Sequence, residues 1–158
     1  MGAPRREQPM NADEEALVRA LQPAMRELMR RWDADLVTDQ SLSITEYSVL
    51  MFLSEAPSRR LGMSELARQC HQSVSAVSRT VGRLERDDLV RREQCSTDAR
   101  SAEAVLTDAG LRRLKKAWPV HLRSMRRSFL DHLGEVDLPT LTAALRRMAD
   151  GGDHPPAG

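Results

Sequence analysis

The residues best placed to do chemistry in this 158-residue chain are serines and arginines. Ser75, Arg79, Arg83 and Arg86 recur at three- and four-residue spacing. At about 100° per residue, that spacing gathers all four on one side of a helix, with Val74, Val77, Val81 and Leu84 on the other. A guanidinium offers a planar fork that fits guanine edges and phosphates, and a hydroxyl bonds either. The implied chemistry is recognition of double-stranded DNA. Ser75 and Arg79 are placed to meet base edges, with Ser78 beside them and Ala76 close enough for a thymine methyl. Arg83 and Arg86, further along, are placed for phosphates. Nothing comparable points to catalysis. The chain contains no Gly-x-Ser-x-Gly elbow, no phosphate loop and no dinucleotide fingerprint. Its four histidines (71, 121, 132 and 154) lack the close pairing on one helix that metal sites use. The expectation is a protein that is not an enzyme and has neither metal nor cofactor.

Such a row of side chains must be carried on a supported helix. Ser64 reads as the N-cap of a short helix that turns Leu66, Ala67 and Cys70 inward. His71, Gln72 and Ser73 then form a tight turn, with Ser73 capping a recognition helix over residues 74–88. This is helix-turn-helix spacing. Two short strands follow, 89–95 and 102–106, with a polar tip from Ser96 to Ser101. Within the tip, Asp98 can accept from Arg100 or from nearby backbone amides and so brace the loop. Arg100 then projects, and a narrow minor groove attracts such a side chain. Residues 73–107 hold six arginines (79, 83, 86, 91, 92 and 100) and six acids (85, 87, 88, 93, 98 and 103). With a net charge of only +1, DNA binding depends on faces, the acids being paired or turned away.

At the tip and just beyond it the chain resembles the MarR family of transcriptional regulators. Asp98-Ala99-Arg100, then an apolar strand ending in Val105-Leu106, then Thr107-Asp108-Ala109-Gly110 is similar to that family's wing and following helix start. The resemblance implies a winged helix-turn-helix fold, mainly α with a small β wing. It implies a homodimer that binds a palindromic operator, most often as a repressor. The recognition helix would enter the major groove and the wing, 95–101, the minor groove. Ser43, Ser64 and Ser73 would supply hydroxyls to phosphates. It also implies a small aromatic acid as effector, held between the dimer helices and the DNA-binding lobe. Arg31, Trp32, Tyr47, Met51 and His121 are the residues expected near that crevice. Some relatives bind zinc through histidines on the helix that carries His121 and His132, but here these are eleven residues apart. Others sense peroxide through a cysteine in the first helix, and this chain has none there.

The remaining segments divide around that lobe. Residues 1–11 and 151–158 read as disordered ends, 12–37 and 108–149 as dimerisation helices, and 43–107 as the DNA-binding lobe. Leu17, Ala20, Leu21, Ala24, Leu28 and Trp32 form the apolar side of the first helix, which is expected to bend at Pro23. Ser43 and Glu46 read as a capping box for a second helix with Ile44, Tyr47, Leu50, Met51 and Leu53 inward. Residues 61–63 read as an edge strand. A long helix from Thr107 should reach about Leu133, kinked at Pro119, and be stopped by Gly134. Asp137 should cap a last helix over 138–149. Residues 111–127 carry seven basic residues and no acid, read mainly as a solvated face. The longest uninterrupted apolar run is Val49 to Leu53, so no membrane span is expected. Cys70 and Cys95 fit a reducing cytoplasm. The alternative from another class is a helical module that regulates a partner protein without DNA. That module would have no use for the Asp98-x-Arg100 tip.

Overall fold

The computed structural model describes residues 9–94 and 102–149. The chain begins with the long helix α1 (Ala12–Gln40). Asn11 starts it by accepting from the Glu14 amide, while the Glu14 carboxylate accepts from the Asn11 amide. Asparagine at the cap and glutamate three residues on are the pattern for this reciprocal pair. The segment expected to be irregular through residue 11 therefore ends in an ordered cap. The helix is continuous through Pro23 and stops where Ser41 enters the left-handed region at φ 48°.

Helix α2 (Ile44–Glu55) opens on the capping box read from the sequence, with Ser43 and Glu46 each accepting from the other's amide. A single 3-10 turn, Pro57–Arg59, leads into β1 (Arg60–Gly62). Next come α3 (Met63–Gln69) and α4 (Val74–Arg86). Here Ser64 departs from expectation. The cap of α3 is Gly62, without a side-chain hydrogen bond, and Ser64 sits exposed inside the first turn. Strand β1 ends directly against the helix, so the cap falls two residues earlier than the hydroxyl suggests.

Strands β2 (Val90–Gln94) and β3 (Ala102–Leu106) form an antiparallel hairpin, and β1 adds to its other edge in the order β1-β3-β2. The tip, including Cys95, Asp98 and Arg100, lies outside the described residues. The register sets Glu93 directly opposite Glu103, a like-charge pair that is unfavourable alone. Arg60 on β1 offsets it, lying 3.2 Å from Glu93 and 3.3 Å from Glu103. Arg91 adds a contact of 3.2 Å to Glu93. Two acids of the lobe, Glu93 and Glu103, are thus paired on the sheet.

Helix α5 (Asp108–Ser128) runs through Pro119, capped by the Thr107 hydroxyl. It ends five residues earlier than expected, giving way to a 3-10 turn at Leu130–His132 before Gly134. Helix α6 (Leu138–Ala149) follows, with the Asp137 carboxylate accepting from the Thr140 amide at 3.0 Å. The core gathers Leu36 of α1, Leu50 and Leu53 of α2, Leu66 of α3, Val77, Val81 and Leu84 of α4, Leu106 of β3 and Ala117 of α5. Aliphatic side chains supply most of this burial, as a chain with 3% aromatic residues must. The fold is mainly α with one small three-stranded sheet. Among the described residues, no helix is long and apolar enough to cross a membrane.

Candidate nucleic-acid interface

Helix α4 is positioned by burial on one side and by two struts at its flanks. Val77, Thr80, Val81 and Leu84 face the core. Val74, assigned from the sequence to the apolar side, is instead 48% exposed. It lies at the first helical position, before α4 meets α3. Thr80 takes a buried place because its hydroxyl is satisfied by the Ala76 carbonyl at 3.3 Å.

The outward face carries Ser75, Arg79 and Arg86, all exposed, with Ser73 at its head. Ser73 accepts from the Ala76 amide at 3.2 Å and shares a hydrogen bond of 3.1 Å with Ser75. Ala76 is half-buried beside them. At about 100° per residue, Arg79 and Arg86 fall within about 40° of Ser75, while Arg83 and Ser78 fall about 60–80° to either side. That rotation decides their partners. Arg83 Nε donates to Glu46 Oε1 of α2 at 2.7 Å. Ser78 accepts, through both its carbonyl and its hydroxyl, from Arg92 of β2. Two residues placed by the sequence in the reading row are therefore also braces, one to α2 and one to the hairpin. Arg92 was not singled out in the sequence. The signal was the two-residue period of β2, in which Arg92 shares the face of buried Val90 and must reach along α4 to find polar partners.

Glu46 lies under Arg83 with only 15% of its side chain exposed. Burial alone would raise its pKa, but the hydrogen bonds from Arg83 and Ser43 outweigh that and hold it below the usual carboxylate range. The Ser43 hydroxyl is occupied by the Glu46 amide and by Thr45. Burial pushes the Cys70 thiol up to about 11, so at neutral pH it is protonated and a poor nucleophile. Among the described residues no cluster of three or more His, Cys, Asp or Glu could hold a metal ion.

Of the five residues expected at an effector crevice, three converge. The Trp32 and His121 rings meet edge to face at 5.7 Å, and Tyr47 lies 4.6 Å from His121. Trp32 Nε1 donates to the Ser128 hydroxyl at 2.9 Å. Met51 is half-buried against the core. Arg31 is turned away, exposed and paired with Glu27 at 2.7 Å, because its place on α1 is one residue off the side that faces α5. The Tyr47 hydroxyl, His121 Nδ1 and the Ser124 hydroxyl are all buried without a hydrogen-bond partner. Burial pushes the His121 imidazole below its usual pKa and, with the Glu55 carboxylate nearby, pushes the Tyr47 phenol up to about 12.

The MarR family pattern matches residues 40–101, from the end of α1 to the hairpin tip. Among solved structures, Sco3205, a MarR family transcriptional regulator from Streptomyces coelicolor in complex with DNA, is 33% identical with a TM-score of 0.85. The match covers 96% of this chain and 95% of that one. AbsC, a MarR family transcriptional regulator from the same organism, is 36% identical with a TM-score of 0.83, covering 91% and 97%. BldR, a transcriptional regulator from Sulfolobus solfataricus, is 24% identical at a TM-score of 0.77 and shares the fold. No curated protein matches the chain. Near-complete overlap with two MarR regulators at a third identity, together with the helix-turn-helix and hairpin just described, places this chain in the MarR family of transcriptional regulators.

Proposed function

We propose that the chain is a homodimeric, DNA-binding repressor of the cytoplasm, without enzymatic activity, that recognises a near-palindromic operator. The observation that carries this reading is the outward face of α4. Arg79 and Arg86 stand exposed with no partner among the described residues, while the flanking Arg83 and Ser78 hold the helix in place. Ser75 and Arg79 meet base edges in the major groove, with Ala76 against a thymine methyl. Arg86 meets a phosphate, as does Arg83 Nη1, its Nε being held by Glu46 and its Nη2 by the Thr80 hydroxyl. Ser64 and Ser73 lie at helix starts, where a hydroxyl suits a phosphate oxygen, whereas the Ser43 amide and hydroxyl are engaged in the α2 capping box. Asp98 and Arg100 serve the minor groove as read from the sequence.

The roles separate on binding to duplexes selected by the parent protein from a random pool. Arg79→Ala is expected to cost about 1–3 kcal/mol and to relax preference at one base position. Arg86→Ala is expected to weaken all sequences alike and to reduce the salt slope by about 1. Equal, sequence-independent losses from both would refute this division.

The three buried polar atoms without partners favour an effector site as a second part of the reading. Burying such groups unsatisfied costs about 1–3 kcal/mol each. A small aromatic acid lodged among Trp32, Tyr47, Met51 and His121 would offer a ring to the aromatic edges and oxygens to Tyr47, His121 and Ser124. Arg31 plays no part, its guanidinium being held by Glu27. Titration with phenolic acids is expected to release DNA from the parent but not from His121→Phe. A DNA complex left intact by every such acid would remove the effector reading while leaving the DNA reading untouched.

A further inference from the structure

We infer that Arg92 is a positioning residue that fixes the angle of the β2–β3 hairpin to α4, so that helix and hairpin approach DNA as one rigid unit. The inference rests on the reading that these two elements face DNA. Arg92 stands on the side of β2 that also carries buried Val90, opposite Ala104 of β3. A guanidinium has no counter-charge in that apolar layer, so it leaves along the helix surface. There Nη2 donates to the Ser78 carbonyl at 2.6 Å and to the Ser78 hydroxyl at 3.1 Å. The Arg92 backbone amide donates to Glu85 Oε1 at 3.2 Å, and Nε lies 3.8 Å from Glu85 Oε2.

Ser78 and Glu85 are two helical turns apart, about 10 Å along the axis. Pairing of β3 with β1 and burial of Val90 and Leu106 already anchor the sheet, and the two separated attachments brace the edge strand β2 directly against α4. The path between them crosses Gly82, where a Cβ would stand 3.6 Å from Arg92 Nη2. At that distance a Cβ would only touch the guanidinium, so the two pack together along this stretch of α4. The Ser78 carbonyl is already a helix acceptor, and its second lone pair takes the arginine without breaking α4.

Glu85 makes the inference testable, because a carboxylate cannot itself bind phosphate. Removing a negative charge near DNA should, by Coulombic attraction alone, tighten binding to every sequence. If Glu85 helps position the hairpin, Glu85→Ala should instead lower the ratio of selected-duplex to random-duplex affinity. Arg92→Met, which keeps the aliphatic stem, is expected to weaken the selected duplex about tenfold, the order expected for one lost charge-assisted hydrogen bond. Its salt slope should stay at the parent value. In the free protein, amide hydrogen exchange of 92–94 should speed up in Arg92→Met while that of α4 does not.

A direct phosphate contact predicts a different result. Arg92→Met would then lower the salt slope by about 1 and weaken selected and random duplexes together, and Glu85→Ala would tighten both. That pattern overturns the inference, as does unchanged exchange in the strand. Both bonds to Ser78 come from one nitrogen, so Arg92→Lys, whose ammonium can donate to both, is expected to restore part of the selected-duplex preference. A parent protein that binds no duplex overturns the underlying DNA reading instead, and the exchange measurement still reports on the brace.

Discussion

Arg83 shows how a side chain read as a DNA ligand acquires a second task. Its partner Glu46 belongs to α2 and also closes the capping box of that helix. One carboxylate therefore couples the start of α2 to the last turn of α4. The pH dependence has a definite sign. The folded pKa of Glu46 lies below its ordinary value of 4.5, so the unfolded chain takes up the proton first. The resulting stability is fully present above 4.5 and is lost as pH falls through the folded value. Arg83→Met is expected to lower the thermal midpoint at neutral pH, with the gap to the parent closing in acid below 4.5. Thermal unfolding followed across that range checks it, and a gap that persists undiminished in acid would show that the pair does not act through the Glu46 charge. With Arg83 44% exposed, solvent screening limits the size of the effect. The arginine row itself was legible from spacing alone. Which of its members would be tied down was not, because the difference between Arg79 and Arg83 is a rotation about the axis toward or away from an acid distant in sequence.

Elements were more legible than residues wherever a local signal marked both their start and their type. Ser43 with Glu46, Ser73 ahead of α4, Thr107 ahead of α5 and Asp137 ahead of α6 all cap the helices assigned to them. Ser64 failed because a neighbouring strand, not the hydroxyl, sets where α3 begins. Arg92 was missed because the two-residue period that puts it on the face of Val90 spans only five residues, and its partners Ser78 and Glu85 belong to another element. The junction of hairpin and α5 shows what the Thr107-to-Gly110 pattern demands physically. A Cβ on Gly110 would lie 2.1 Å from the Leu89 carbonyl oxygen and 2.6 Å from Leu106 Cδ1. That carbonyl cannot retreat freely, since it accepts from the Thr107 amide at 3.1 Å and shares the Thr107 hydroxyl with the Asp88 carbonyl. Gly110→Ala is therefore expected to destabilise the fold by about 1–3 kcal/mol or more, as overpacking against backbone does. Denaturant unfolding with an unchanged m-value checks it. A variant as stable as the parent would mean that the junction relaxes at no cost.

On the scale of the whole molecule, the first and last helices each leave apolar side chains exposed. The first half of α1 exposes Leu17, Val18, Leu21 and Met25, and α6 exposes Leu138, Leu145 and Met148. Helix α6 has no buried residue at all. An isolated helix of 12 residues is marginal in water, so its apolar stripe at 138, 141, 145 and 148 needs a surface to lie on. On the proposed reading a second copy would supply one, with α1 and α6 of each protomer meeting those of the other around a two-fold axis. The same axis would set two α4 helices about one DNA turn apart, matching a near-palindrome. Leu145→Asp combined with Met148→Asp is expected to convert a dimer into a monomer, because two charges would be buried unpaired at each end of the interface. Light scattering should show the molar mass halved at micromolar concentration, and circular dichroism should show lost helix as α6 frays. Affinity for the selected duplex should fall as each half-site is bound alone, while the thermal stability of the lobe over 43–107 changes little. A parent protein that is monomeric at that concentration with full DNA affinity would refute the two-fold arrangement and leave the exposed stripes to be explained by a different partner.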